Sequence, residues 1–128
     1  MAPTDESGAL RRGGESGSVI GGLLPVIPTP FLDGSFDKVS MRRFLDQFLP
    51  CLDGYTLLGS TGEAPSLTTT QRMEIAEWAL KATPLDKAVV VGVSHTSLDD
   101  SIRLAQHAES IGATGVLCAA PYYFANTD

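Results

Sequence analysis

Apolar positions along the chain follow two alternating rhythms. Short, nearly continuous runs occur at Gly22–Thr29, Gly54–Leu58, Ala88–Val93 and Gly115–Ala119. Between them, apolar residues return every three or four positions. Runs of that length, apolar throughout, suit strands covered on both faces, whereas the longer spacing marks amphipathic helices. Pro25 and Pro28 make the first run an irregular or edge-like strand. The first helix follows a turn at Asp33-Gly34, with Met41, Phe44, Leu45, Phe48 and Leu49 on one face, and Pro50 stops it. Thr68 and Gln71 form a capping box that opens the second helix, which runs to Ala82 and ends before Pro84. Ser97 caps the third, whose Leu98, Ile102, Ala105, Ala108 and Ile111 are expected to face the core. Gly112 supplies its C′ position.

The order is β-α-β-α-β-α-β, which predicts an α/β fold with a parallel sheet and helices outside it. Two architectures fit: an open four-stranded sheet, or the N-terminal half of a (β/α)₈ TIM barrel, a fold of about 250 residues. The chain has 128 residues.

Composition narrows the partners. Residues 1–18 are rich in Gly, Ser and charge and poor in apolar side chains, so they read as a disordered N-terminal tail. Residues 19–128 are expected to form one domain, strands one to four with helices one to three, which under the second architecture is a partial TIM-barrel domain truncated at the C-terminus. Arg11-Arg12 have the form of a twin-arginine export signal, but the apolar stretch beyond them carries Pro25, Pro28 and Pro30 and suits neither a signal helix nor a membrane span. The expected location is cytoplasmic, with no membrane partner. A net charge of −6 without a basic stripe argues against nucleic acid. Cys51 and Cys118 form no CxxC pair and read as buried, reduced thiols.

Candidate chemistry lies in the loops after the strands, where parallel α/β folds bind ligands. Three such loops are PTPF after strand one, GSTGE after strand two and PYYF after strand four. In GSTGE, Gly59 and Gly62 let backbone N–H groups converge, and Ser60 and Thr61 add hydroxyl donors. Donors without a cation suit a small carboxylate, and the missing P-loop lysine argues against a nucleotide. Glu63 reads as a structural carboxylate bonding loop N–H groups rather than as a base. His95 follows strand three with no second His or Cys nearby, so no metal is implied. His107 reads as a surface residue of helix three, and Trp78 as packing or interface.

Together, IPTPF, GSTGEAPSL, VVVGVSHTS and APYYF resemble the dihydrodipicolinate synthase / N-acetylneuraminate lyase family of pyruvate-dependent class I aldolases. The resemblance covers Gly21 to about Asn126. It implies a (β/α)₈ barrel, a homo-oligomer of the tetramer-of-dimers type, a 2-keto acid substrate and no cofactor. It also implies that Gly59, Ser60, Thr61 and Gly62 hold the pyruvate carboxylate. Ser60 would further join a proton relay with Tyr123, whose phenol in many members enters a neighbouring subunit's site. Tyr122 would line the entrance or interface, and Thr29 would sit at the mouth of strand one, in contact with substrate.

The chemistry needs an amine to condense with the ketone. Lys38, Lys81 and Lys87 are the lysines present, and their places in the pattern put all three away from GSTGE. In the family the Schiff-base lysine comes from strand six and a second relay tyrosine from strand five. The chain is therefore expected to be an N-terminal half, inactive alone. By resemblance its most direct function is that of a 4-hydroxy-tetrahydrodipicolinate synthase, joining pyruvate to aspartate semialdehyde in lysine biosynthesis. An N-acetylneuraminate lyase and a keto-deoxy sugar acid aldolase or dehydratase are the alternatives within the family. A non-catalytic half-barrel that binds a keto acid or a partner chain is the alternative of another class.

Overall fold

A computed structural model describes residues 20–122. The segment read as a tail and residues 123–128, which include Tyr123, lie outside the described residues. The first apolar run meets its neighbour at one point only, an isolated parallel bridge between Val26 and Thr56. There Ile27 N–H donates to the Thr56 carbonyl (3.0 Å) and Thr56 N–H to the Pro25 carbonyl (2.8 Å). Pro25 and Pro28 have no N–H to extend a ladder, so the expected strand contracts to a bridge.

A hairpin follows where the sequence pattern predicts a turn. Strand β1 (Phe31–Leu32) pairs antiparallel with β2 (Ser35–Phe36). Asp33 and Gly34 between them have φ of 51° and 78°, the left-handed pair of a type I′ turn. The hairpin is fastened through Phe36, whose ring meets Trp78 edge-on at 5.3 Å, while the Arg42 guanidinium lies 5.5 Å from the Trp78 ring centroid. Trp78 is therefore a packing residue.

Helix α1 (Lys38–Phe48) opens on Asp37, whose carboxylate accepts from Val39 N–H (3.1 Å) and Ser40 N–H (3.0 Å). Met41, Leu45 and Leu49 are buried as expected, whereas Phe48 is exposed and leans on half-buried Phe44. The Ser40 hydroxyl, then the Ser40 and Val39 amides, hold the Asp37 carboxyl below the ordinary carboxylate range. A group depressed in this way contributes stability that is full above its unfolded pKa of about 3.9 and is lost as pH falls through the folded value. Asp37→Asn keeps a capping oxygen and removes the charge. The expected result is a lower urea midpoint than the parent at pH 7, with the gap closing below about pH 4. A gap that persists unchanged in acid would show that the charge is not the cause.

The sheet is parallel, in the order β3 (Gly54–Leu57), β4 (Ala88–Gly92) and β5 (Gly115–Leu117). Gly54 pairs with Ala88 and Leu57 with Val91, and Val90 pairs with Gly115. Helix α2 (Thr69–Ala82) starts on the predicted capping box: Thr68 Oγ1 accepts from Gln71 N–H (3.1 Å), and Gln71 Oε1 accepts from Thr68 N–H (2.9 Å). Helix α3 (Leu98–Ser110) starts on Ser97, whose hydroxyl accepts from Asp100 N–H (3.3 Å). It ends with Gly112 at φ 84°. There Gly112 N–H donates to Glu109 O and Ala113 N–H to Ala108 O, both at 3.0 Å, in a Schellman closure.

The inward face of α3 differs from the expected one. Ser101, Leu104 and Ala108 are buried, with α3 packed against α2 and β5, whereas Leu98 and Ile102 are 65% and 46% exposed. At about 100° per residue, Leu98 and Ile102 stand roughly 120° and 160° around the helix from Leu104. Two apolar stripes share Ala105 and Ala108, and the stripe containing Leu104 is the one the sheet covers. His107 is not a free surface residue, because its Nε2 lies 2.9 Å from Glu77 Oε1 and ties α3 to α2. Both cysteines are exposed rather than buried: Cys51 closes a 3₁₀ turn after α1, and Cys118 follows β5.

Candidate functional site

The loop after β3 is shaped by an unusual exit. Leu58, fully buried, has φ 58°, a left-handed conformation that side chains of this size rarely adopt. Its carbonyl turns across β4 at Gly92, where a Cβ would sit 2.0 Å from that oxygen. Gly92 therefore lets the loop leave the sheet. Beyond it, Glu63 N–H donates to Ser60 O (3.0 Å) and closes a turn, with Glu63 itself left-handed at φ 56°. The Glu63 side chain is exposed and caps nothing, so it does not bond the loop amides as expected.

Ser60 and Thr61 sit exposed at the crest of this turn. Among the described residues, nothing accepts from the N–H groups of Ser60, Thr61 or Gly62. Thr29 is placed differently from a substrate contact. Its hydroxyl is buried behind the loop and donates to the Gly62 carbonyl at 2.7 Å. A concavity of about 420 Å³ adjoins the crest, with Gly59 and Ser60 on one wall, Ser94 on another, and Cys118 and Tyr122 on a third. The structure thus brings Gly59, Ser60 and Tyr122 to one cavity, with Thr61 and Gly62 continuing the same loop.

Sequence reasoning missed Arg72, Ser94 and Cys118. Arg72 is 1% exposed. Its Nη1 donates to Ser94 O (2.9 Å) and its Nη2 to Gly92 O (2.8 Å), while Nε has no partner among the described residues. Burial pulls its pKa below the ordinary guanidinium value, and the nearby Tyr122 phenol works in the opposite direction. Ser94 then accepts from Ala119 N–H through its hydroxyl (2.8 Å), which carries the contact to the segment leading to Tyr122. A signal for Arg72 was present: it shares the i, i+3, i+4, i+7 stripe with Ile75, Ala76 and Ala79, all buried. His95 Nδ1 accepts from Ser97 N–H (2.9 Å) and stands 3.8 Å from Asp100 Oδ2. Lys87 Nζ donates to Leu52 O (2.8 Å) beside the amino end of β4, and Lys38 and Lys81 are exposed on helices. No described lysine lines the cavity.

Residues 19–128 match the model of the dihydrodipicolinate synthetase family. The chain belongs to that family. Among curated relatives, the probable 2-dehydro-3-deoxy-D-pentonate aldolase of Escherichia coli is 37% identical over 105 residues, covering 80% of this chain and 35% of the relative. The 4-hydroxy-tetrahydrodipicolinate synthase of Bradyrhizobium diazoefficiens is 35% identical over 103 residues, with the same coverages. Among solved structures, a dihydrodipicolinate synthetase homologue from Pseudomonas aeruginosa superposes with a TM-score of 0.80 at 29% identity, covering 86% of this chain and 38% of that one. An E. coli prophage protein of the family, solved with pyruvate, gives 0.75 at 29% identity, covering 82% and 37%. The chain thus spans about a third of the length of these relatives. The dihydrodipicolinate synthetase family is built on the (β/α)₈ barrel, and the β3-β4-β5 sheet with its bridged first run is a half barrel of that fold.

Proposed function

We propose that this chain supplies the carboxylate-binding half of a pyruvate-dependent lyase or synthase of the class I aldolase type. The loop Gly59–Gly62 carries the reading: after β3 it holds two exposed hydroxyls and three N–H groups without an acceptor among the described residues, and Gly59 and Ser60 line a cavity. Such a nest suits the carboxylate of a small 2-keto acid. Ser60 binds that carboxylate and passes a proton, Thr61 adds a second donor, and Tyr122 borders the entrance. Tyr123 completes the relay, in a neighbouring subunit's site within a homo-oligomer. The amine that condenses with the ketone comes from outside these 128 residues.

Synthase chemistry, pyruvate with aspartate semialdehyde, is the foremost assignment. It is supported by the several relatives named 4-hydroxy-tetrahydrodipicolinate synthase and by the pyruvate complex of the prophage protein. The pentonate aldolase keeps keto-deoxy sugar acids as the alternative second substrate. No described helix is long and apolar enough to cross a membrane. Incubation of the chain with pyruvate and borohydride, followed by intact and peptide masses, tests the division of labour. The expected result is no adduct. A stoichiometric adduct on Lys38, Lys81 or Lys87 would place the nucleophile within this chain and sink the proposal.

A further inference from the structure

The anion loop is bracketed by two side-chain-bearing residues in left-handed conformation, Leu58 (φ 58°) and Glu63 (φ 56°). Such a residue is strained and persists only where its surroundings over-determine it. Something must hold the loop. Its internal bonds are few: Glu63 N–H to Ser60 O, and a long one of 3.4 Å from Ala64 N–H to Gly59 O.

The remaining tie comes from a distant part of the chain. Thr29 Oγ1 donates to the Gly62 carbonyl at 2.7 Å in a buried setting, and Thr29 itself is 4% exposed. Gly62 is also sandwiched: a Cβ there would lie 3.0 Å from Leu58 N and 3.2 Å from Thr29 Oγ1. The carbonyl is thus held by a buried hydroxyl at a position with little room for a side chain. The Gly62 carbonyl and the Glu63 N–H belong to one peptide, so the bond from Thr29 and the turn-closing bond to Ser60 O hold the same plane from both sides. A buried carbonyl deprived of its donor is costly.

We propose that Thr29 is a positioning residue, a latch from the first strand run that holds the Gly59–Glu63 loop in its turn, between the left-handed Leu58 and Glu63. It acts through Gly62 and touches no ligand. The proposal rests on the carboxylate reading only for what the loop binds; the latch itself is a statement about the loop.

The test compares Thr29→Val, which keeps the shape and removes the donor, with Thr29→Ser, which keeps the donor. Amide hydrogen exchange is read by NMR on the whole chain. In Thr29→Val, the Glu63 and Ala64 amides should exchange at least about 10-fold faster, the scale of one lost hydrogen bond near 1.4 kcal/mol. Val89 and Val91 in β4 should keep their protection, and Thr29→Ser should match the parent. Parent-like loop exchange in Thr29→Val overturns the latch. Equal loss of protection in the loop and β4, or failure of Thr29→Val to fold while Thr29→Ser folds, also overturns it, because Thr29 would then serve the core at large. Pyruvate titration runs alongside: shifts at the Ser60 and Thr61 amides should appear in the parent and vanish in Thr29→Val. Absence of shifts in the parent would count against the carboxylate reading alone, leaving the latch to be decided by exchange.

Discussion

Ser60→Ala is expected to lower turnover by roughly 10²-fold or more in protein long enough to supply the amine, the scale of lost proton-transfer catalysis. Two losses coincide in this substitution. The cavity wall loses the Ser60 hydroxyl, and with it go both roles proposed for that group, carboxylate donor and relay member. The loop should keep its shape, because its ties run through the Ser60 carbonyl, which alanine retains, and through Gly62. Folding should therefore be unchanged, and kcat should fall more than KM for pyruvate rises. Unaltered kcat and KM would remove Ser60 from the chemistry.

Arg72→Ala is expected to be the most damaging single change to stability, by about 3–5 kcal/mol, the range of large buried side chains truncated to alanine. The guanidinium is buried without an acidic partner among the described residues, so desolvation opposes it, as its lowered pKa records. Against that cost stand two charge-assisted bonds, to Gly92 O and Ser94 O, each worth about 1.5–3 kcal/mol. Both are short, and they anchor the end of β4 that also accommodates the Leu58 carbonyl. The bonds and the packing volume together outweigh the desolvation. Arg72→Met separates the two contributions by refilling the volume without the charge, and it should lose about half as much. Urea midpoints at constant m-value measure both. A neutral or stabilising Arg72→Met would show that desolvation wins and that the arginine is kept for another reason.

Much of this architecture was legible because local chemistry and long-range packing agree. The box at Thr68 and Gln71, the cap at Ser97 and the left-handed Gly112 are decided within a few residues, and each appears where the pattern put it. The failures arise where local pattern leaves a choice open. Helix α3 carries two apolar stripes, and only the neighbours select the one through Leu104. Asp33-Gly34 is a hairpin signal, but the strands flanking it are so short that the run looked like a simple turn. Arg72 stands on the buried stripe of α2, yet a charge is habitually assigned to solvent. The GSTGE donors were readable from residue types alone. The burial of Thr29 behind them was not, since the bond to Gly62 joins positions 33 residues apart.

The bridged first run has a consequence for self-association. Pro25 O and Ile27 N–H face Thr56, so the opposite side of this run offers the Val26 amide and then meets Pro28, which has no N–H. An incoming strand finds too few donors there to build a ladder. At the other margin, β5 presents Val116 and Leu117, each 46% exposed, on a run free of proline. Natural sheets blunt their edges with proline, and here one margin is blunted and the other is not. Edge pairing of this chain should therefore run through β5 and stop at a pair, and a lysine or proline introduced at Val116 should suppress it where the same change near Val26 does little.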